Sequence, residues 1–172
     1  NAKLVHVRVL GKGGGYTSDI ADGMVWAAGG TVRGIPRNAN PAKVLNLSLG
    51  GQGACDRASQ AAVDGAIQNG ATVVVAAGNS NADVSRFNPA NCRGVVAVAA
   101  TTSRGARAGF SNYGRGITLA APGENILSTL NSGRTSPGAP AYAAYNGTSM
   151  AAPHVAGGMA AVQSAEGGRL TP

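Results

Sequence analysis

The 172 residues are 44% hydrophobic with a mean hydropathy of +0.01, enough for one domain that buries about two-thirds of its unfolded surface. Glycine (27) and proline (8) stay below low-complexity levels, which excludes a disordered or repetitive chain. Lys and Arg exceed Asp and Glu by 14 to 7, but the cations stand singly with no basic run and no aromatic RNA-binding motif, which argues against a nucleic-acid partner.

Residues 3–10 alternate as a strand, with Val5, Val7 and Val9 on one face and His6 and Arg8 on the other. The chain opens on Asn1 with no signal peptide ahead of this strand, so Asn1 is not expected to be the natural start. Thr17 or Ser18 is placed to cap a helix carrying Ile20, Met24, Ala27 and Ala28, which Gly29-Gly30 would end. A second strand is predicted over Val44–Leu49, then a helix capped by Asp56 that runs through Ala62, Val63, Ala66 and Ile67 to Asn69-Gly70. Thr72–Ala77 and Val95–Ala100 are continuous apolar runs, the pattern of parallel strands covered on both faces. Neither approaches the length of a membrane span, so no membrane partner is expected. The order β-α-β-α-β predicts an α/β fold with a parallel sheet.

Ligands of such sheets bind beyond the carboxyl ends of the strands. Three of those ends are glycine-rich here: Gly11-Lys12-Gly13-Gly14-Gly15, Gly50-Gly51 and Gly78-Asn79. Backbone exposed in this way suits an extended ligand paired through main-chain hydrogen bonds. A phosphate loop fails on spacing, because Gly13 follows Lys12 where Ser or Thr is required, and Tyr16 stands where a dinucleotide motif needs its third glycine. Cys55 and Cys92 are too far apart for a redox or zinc pattern and the two histidines add no metal spacing. A disulfide formed in an oxidising compartment is the expectation.

A last helix is predicted from Thr148 to about Ala165, dense in Ala and Gly and therefore expected to pack very closely. Ser149 falls in its first turn, where free N–H groups and the positive dipole end can stabilise an oxyanion. Pro153 removes the N–H that would bond the Ser149 carbonyl. Gly147-x-Ser149-x-Ala151 comes close to the nucleophile elbow of α/β-hydrolases, but that fold needs an acid and then a histidine after the serine. Only 23 residues follow Ser149, and His154, five positions on, points away from it around the helix. A nucleophilic Ser149 would take its base and acid from outside this chain.

The stretch Asn146-Gly147-Thr148-Ser149-Met150-Ala151-Ala152-Pro153-His154-Val155-Ala156-Gly157 resembles the serine signature of the subtilisin-like serine proteases, the subtilases. Further similarity runs through Val9-Leu10-Gly11, residues 46–51, residues 75–79, residues 110–114 and Ala121-Pro122-Gly123. The resemblance implies a three-layer α/β/α fold with a mainly parallel sheet, and residues 1–172 as the C-terminal portion of one peptidase domain. The family's Asp-Thr/Ser-Gly and His-Gly-Thr-His motifs are absent from these residues and would lie before Asn1. It implies Ser149 as nucleophile and Asn79, with the Ser149 N–H, as oxyanion hole. Ser48-Leu49-Gly50 and Ala76-Ala77-Gly78 become two walls of the primary specificity pocket, Phe87 a candidate for its base, and Gly13-Gly14-Gly15 the strand that pairs with substrate.

The family turn after Phe87 carries a cis proline, here Pro89. One family calcium site takes a carboxylate just before Ala-Pro-Gly, where this chain has Thr118. The chemistry requires no cofactor or metal, and a structural calcium ion there would rest on backbone carbonyls. The resulting expectation is a secreted serine endopeptidase acting on protein or peptide substrate through an acyl-enzyme. It would be inactive without its complementary N-terminal segment. The alternative is a peptide-binding protein whose cleft never held a base.

Overall fold

Runs of Val and Ala that could not tolerate water on either side end up in the middle layer. The computed structural model describes residues 2–167. A first helix, α1 (Thr17–Ala27), is followed by strands β1 (Val44–Leu47) and β2 (Gly51–Gln52), helix α2 (Arg57–Gln68) and strand β3 (Thr72–Ala76). Then come β4 (Phe87–Asn88), β5 (Val96–Thr101), β6 (Leu119–Pro122), the hairpin β7 (Ile126–Asn131) and β8 (Pro140–Tyr145), and helix α3 (Thr148–Ala165). The central sheet has the order β1-β3-β5-β6, all parallel, with Leu45 beside Val73, Val75 beside Ala97 and Ala99 beside Ala120.

Alternate residues of each strand serve opposite layers. Leu45, Leu47, Val73, Val75 and Ala97 pack with Met24, Ala27, Val63 and Ala66 of α1 and α2. Val74, Ala76, Val98 and Ala100 pack with Ala151, Ala152 and Ala156 of α3. This is the three-layer α/β/α arrangement expected. On the helix itself it is the alanine stripe that packs against the sheet, since Gly157 and Gly158 are exposed and face open space.

Other expectations need correction. Residues 3–10 form no strand, although Val5, Val7 and Val9 do face one way, into a groove with Ile20, Met24, Leu45 and Leu47. Alternation specifies a buried face but supplies no hydrogen-bonding partner, and the backbone of residues 3–10 finds none in the sheet. At α1 the N-cap is Tyr16, without a side-chain cap, and Thr17 and Ser18 lie inside the helix. The hairpin β7–β8 has no counterpart among the sequence expectations, because it is exposed over most of its length and lacks the half-buried alternation that marks a strand.

The Cys55–Cys92 disulfide forms, with Cα atoms 5.2 Å apart. It joins the approach to α2 with the segment after β4, and the same junction is bonded through Asp56. That carboxylate caps α2, accepting from the Ser59 N–H at 2.9 Å, the Ser59 hydroxyl at 2.9 Å and the Asn88 amide at 3.0 Å. The Ser59 N–H, then its hydroxyl, hold the Asp56 carboxyl below its ordinary pKa. A depressed carboxylate stabilises the fold above its unfolded pKa, about 3.9, and that contribution fades as pH falls through the folded value. Asp56→Ala is therefore expected to cost about 1 kcal/mol at pH 7. The gap from wild type should close in acid, as urea unfolding at pH 7 and at successively lower pH would show; a gap that persisted below the folded pKa would contradict it.

Candidate active site

The first turn of α3 is set against the carboxyl ends of β1 and β3. Because Pro153 has no N–H, the Ser149 carbonyl is without its helical donor, and the Ser48 hydroxyl supplies one at 2.8 Å. The Ser149 hydroxyl in return donates to the Ser48 carbonyl at 3.2 Å. The proline thus couples the serine to the end of β1. A carbonyl oxygen is too weak a base to activate the hydroxyl it accepts from.

The second coupling runs to β3. Buried Thr148 donates its backbone N–H to Asn79 Oδ1 at 2.8 Å and its hydroxyl to the same oxygen at 2.9 Å, while its Oγ1 accepts the Gly78 N–H at 3.0 Å. An N–H can only donate, so these bonds fix which end of the Asn79 amide faces Thr148. Nδ2 is turned to the other side, where it has no partner among the described residues. The Ser149 N–H, in the uncapped first turn, likewise has none. Two N–H donors and a hydroxyl therefore stand together at a positive helix end.

Ser48, Leu49, Gly50, Ala76, Ala77, Gly78, Asn79, Phe87 and Ser149 line one cleft of about 440 Å³. None of its lining side chains is charged. Gly78, at φ +102°, takes a conformation and a closeness to Asn112 that a Cβ would obstruct. The Asn88–Pro89 bond on the facing wall is cis. Gly13, Gly14 and Gly15 line a different surface concavity with residues 8–12, and the structure does not bring them to the cleft around Ser149.

Neither histidine reaches the serine. His154 Nδ1 lies 2.7 Å from the Met150 carbonyl on the exposed side of α3, and His6 belongs to the exposed segment before Gly11. For calcium, Thr118 does not fit as the anionic ligand: its hydroxyl accepts the Ala97 N–H at 3.2 Å. No group of three His, Cys, Asp or Glu side chains able to hold a metal occurs among the described residues. Thr148 and Asn112 lie within stretches that carry the family resemblance, yet the sequence assigns neither of them a role. Their partners lie 30 to 70 positions away, and no local pattern signals such bonds.

A sequence model of the subtilase family, peptidase S8, matches residues 1–172. The extracellular protease of Xanthomonas campestris pv. campestris is 64% identical over 171 residues, covering 99% of this chain and 30% of that protein. The extracellular basic protease of Dichelobacter nodosus is 55% identical over 99% of the chain and 29% of its own length. The chain thus spans about three-tenths of the length of these relatives. A solved protease from Pseudoalteromonas arctica superposes with a TM-score of 0.97 at 52% identity, covering all of this chain and 53% of that one. A cold-adapted subtilisin-like serine proteinase superposes at 0.77 with 40% identity over 96% of the chain and 54% of its own. With its family match over the full length, its three-layer sheet and the serine at the head of α3, the chain belongs to the subtilase family.

Proposed function

We propose that residues 1–172 are the C-terminal portion of a peptidase domain and form the serine-bearing part of a secreted endopeptidase. The observation that carries the reading is the Thr148 clamp on Asn79 Oδ1, which leaves Nδ2 and the Ser149 N–H as paired, unoccupied donors beside the serine hydroxyl. The Ser149 hydroxyl oxygen attacks the carbonyl carbon of the scissile peptide, and its proton passes to an imidazole outside these residues. Charge that develops on the carbonyl oxygen is met by Asn79 Nδ2 and the Ser149 N–H. Collapse expels the amine, which takes the proton from the imidazole, and leaves an ester on Ser149. Water then hydrolyses that ester by the same steps in reverse.

The imidazole and its carboxylate partner belong, in this reading, to a complementary N-terminal segment of the same protease. Support comes from the sheet. The outer edge of β1 has no ladder partner among the described residues, and Val5, Val7 and Val9 face Leu45 and Leu47 across a groove of about 160 Å³. A strand of that segment would satisfy both the unpaired edge and the apolar walls. Gly13, Gly14 and Gly15 are assigned to pairing with the substrate backbone once that segment is in place. Secretion agrees with the disulfide and with relatives named extracellular.

A fluorophosphonate applied to the isolated chain and to the complete assembly tests the central claim. Ser149 should label rapidly only in the assembly, as located by peptide mass. Equal labelling of the isolated chain would place the base within residues 1–172, and no labelling in the assembly would favour a peptide-binding protein without catalysis.

Asn79→Ala is expected to lower kcat by about 10²–10³ with little change in KM, the magnitude established for one oxyanion donor in subtilisin itself and carried over here. Steady-state kinetics would read this directly; a rise in KM at normal kcat would instead make Asn79 a ground-state binding group.

The uncharged cleft walls lead to a third expectation, a preference for large apolar or aromatic side chains ahead of the cleaved bond. A Lys or Arg buried there would lack a counter-charge. Peptides with Phe or Leu at that position should exceed their Lys or Arg counterparts in kcat/KM by at least about 10-fold. Cleavage of a denatured protein mainly after basic residues would contradict it.

A further inference from the structure

The loop that carries Asn79 hardly bonds to itself. Its backbone is held by the segment from Arg107 to Tyr113, which reaches it from beyond β5. Asn112 is wholly buried and central to that contact. Its Nδ2 donates to the Ala77 carbonyl at 2.8 Å, and its Oδ1 accepts the N–H groups of Ser80 at 3.0 Å and Ala82 at 3.1 Å. Its own N–H donates to the Gly78 carbonyl at 2.9 Å. Asn79 makes no backbone hydrogen bond of its own among the described residues, so its Cα hangs between two peptides that Asn112 holds. Around this core the Arg107 guanidinium donates to Asn81 Oδ1 at 2.9 Å and to the Ser111 carbonyl at 2.6 Å, and lies 5.1 Å from the centre of the Tyr113 ring.

We propose that Asn112 is a positioning residue for the oxyanion amide, an inference that rests on the role given to Asn79 above. Thr148 orients the Asn79 side chain, whereas Asn112 sets where that side chain starts. Both ends of the carboxamide are needed, because a group that only accepts would face the Ala77 carbonyl with a lone pair. Donors stabilise a transition state in proportion to how well they are placed before charge develops, and a shift of about 1 Å can cost on the order of 10²-fold in rate. Asn112 touches no reacting atom, so its effect must pass through Asn79.

The test is a double-mutant cycle in the complete enzyme, with Asn112→Ser, Asn79→Ala and their combination, reading kcat and KM separately with active sites titrated. Asn112→Ser is expected to lower kcat about 10-fold with KM within about twofold, but to lower it less than about twofold when Asn79 is already Ala. The same fold-loss in both backgrounds, a loss carried by KM, or no loss would overturn the proposal. Asn79→Ala alone separates the two readings: an unchanged kcat removes the oxyanion role and this inference with it. A low kcat with additive losses removes only the positioning role. Should Asn112→Ser fail to fold, exposed Arg107→Gln serves the same cycle. It should lose about threefold in kcat with Asn79 present and nothing without it, and equal losses in the two backgrounds would again overturn the proposal.

Discussion

The geometry of the candidate site depends on the contact between buried Thr148 and the residues just after β3, 69 and 70 positions apart in sequence. One hydroxyl accepts from the Gly78 N–H and donates to Asn79, and the neighbouring N–H donates to Asn79 as well. Buried polar groups with every bond made are rigid, because breaking one leaves an unsatisfied group that costs about 1–3 kcal/mol. The register between helix and sheet is therefore set at the same atoms that orient the amide.

That contact requires α3 to lie close against the sheet, which fits the small residues of its buried face. Ala151, Ala152 and Ala156 present nothing longer than a methyl group to Val74, Val98 and Ala100. Gly123 completes the fit: it accepts the Gly147 N–H at 2.8 Å, and a Cβ there would lie 2.6 Å from that of Ala100 and 2.7 Å from the Gly147 oxygen. Pro153 loosens the helix by one hydrogen bond, and Ser48 takes up the released carbonyl. Three separate devices thus converge on one turn: small residues for distance, a glycine for close passage, and a proline that passes a bond from the helix to β1.

How much of this the sequence displayed depended on the range of the interaction. Asp56 at the start of α2 and Asn69-Gly70 at its end were legible because caps are written within four residues. The buried runs of β3 and β5 were legible because burial on both faces leaves one pattern. Residues 3–10 carried the correct facing of Val5, Val7 and Val9 but not the missing ladder, since pairing depends on a neighbour rather than on alternation. Ser149, Asn79 and the two cleft walls came from motif resemblance, and the structure collects them in one cleft. The bonds of Thr148 and Asn112 were illegible, because a Thr or Asn in sequence gives no sign of which distant backbone it will satisfy.

The division of labour in the proposed chemistry follows from the same physics. In this reading the groups that act by staying still, Asn79, the Ser149 N–H and the cleft walls, are the ones this chain supplies, and backbone bonds and buried polar contacts fix them. The group that must change its charge during the proposed reaction is assigned outside these residues, since the Ser149 hydroxyl meets only a carbonyl at 3.2 Å. In triad proteases the oxyanion hole and binding retain about 10³–10⁴-fold acceleration after the proton-handling groups are removed. The greater share of the rate comes from deprotonating the serine as it attacks. A positioned but unactivated serine is what this half of the machinery should contain if the two functions are built on different stretches of chain and meet only when the sheet is completed at β1.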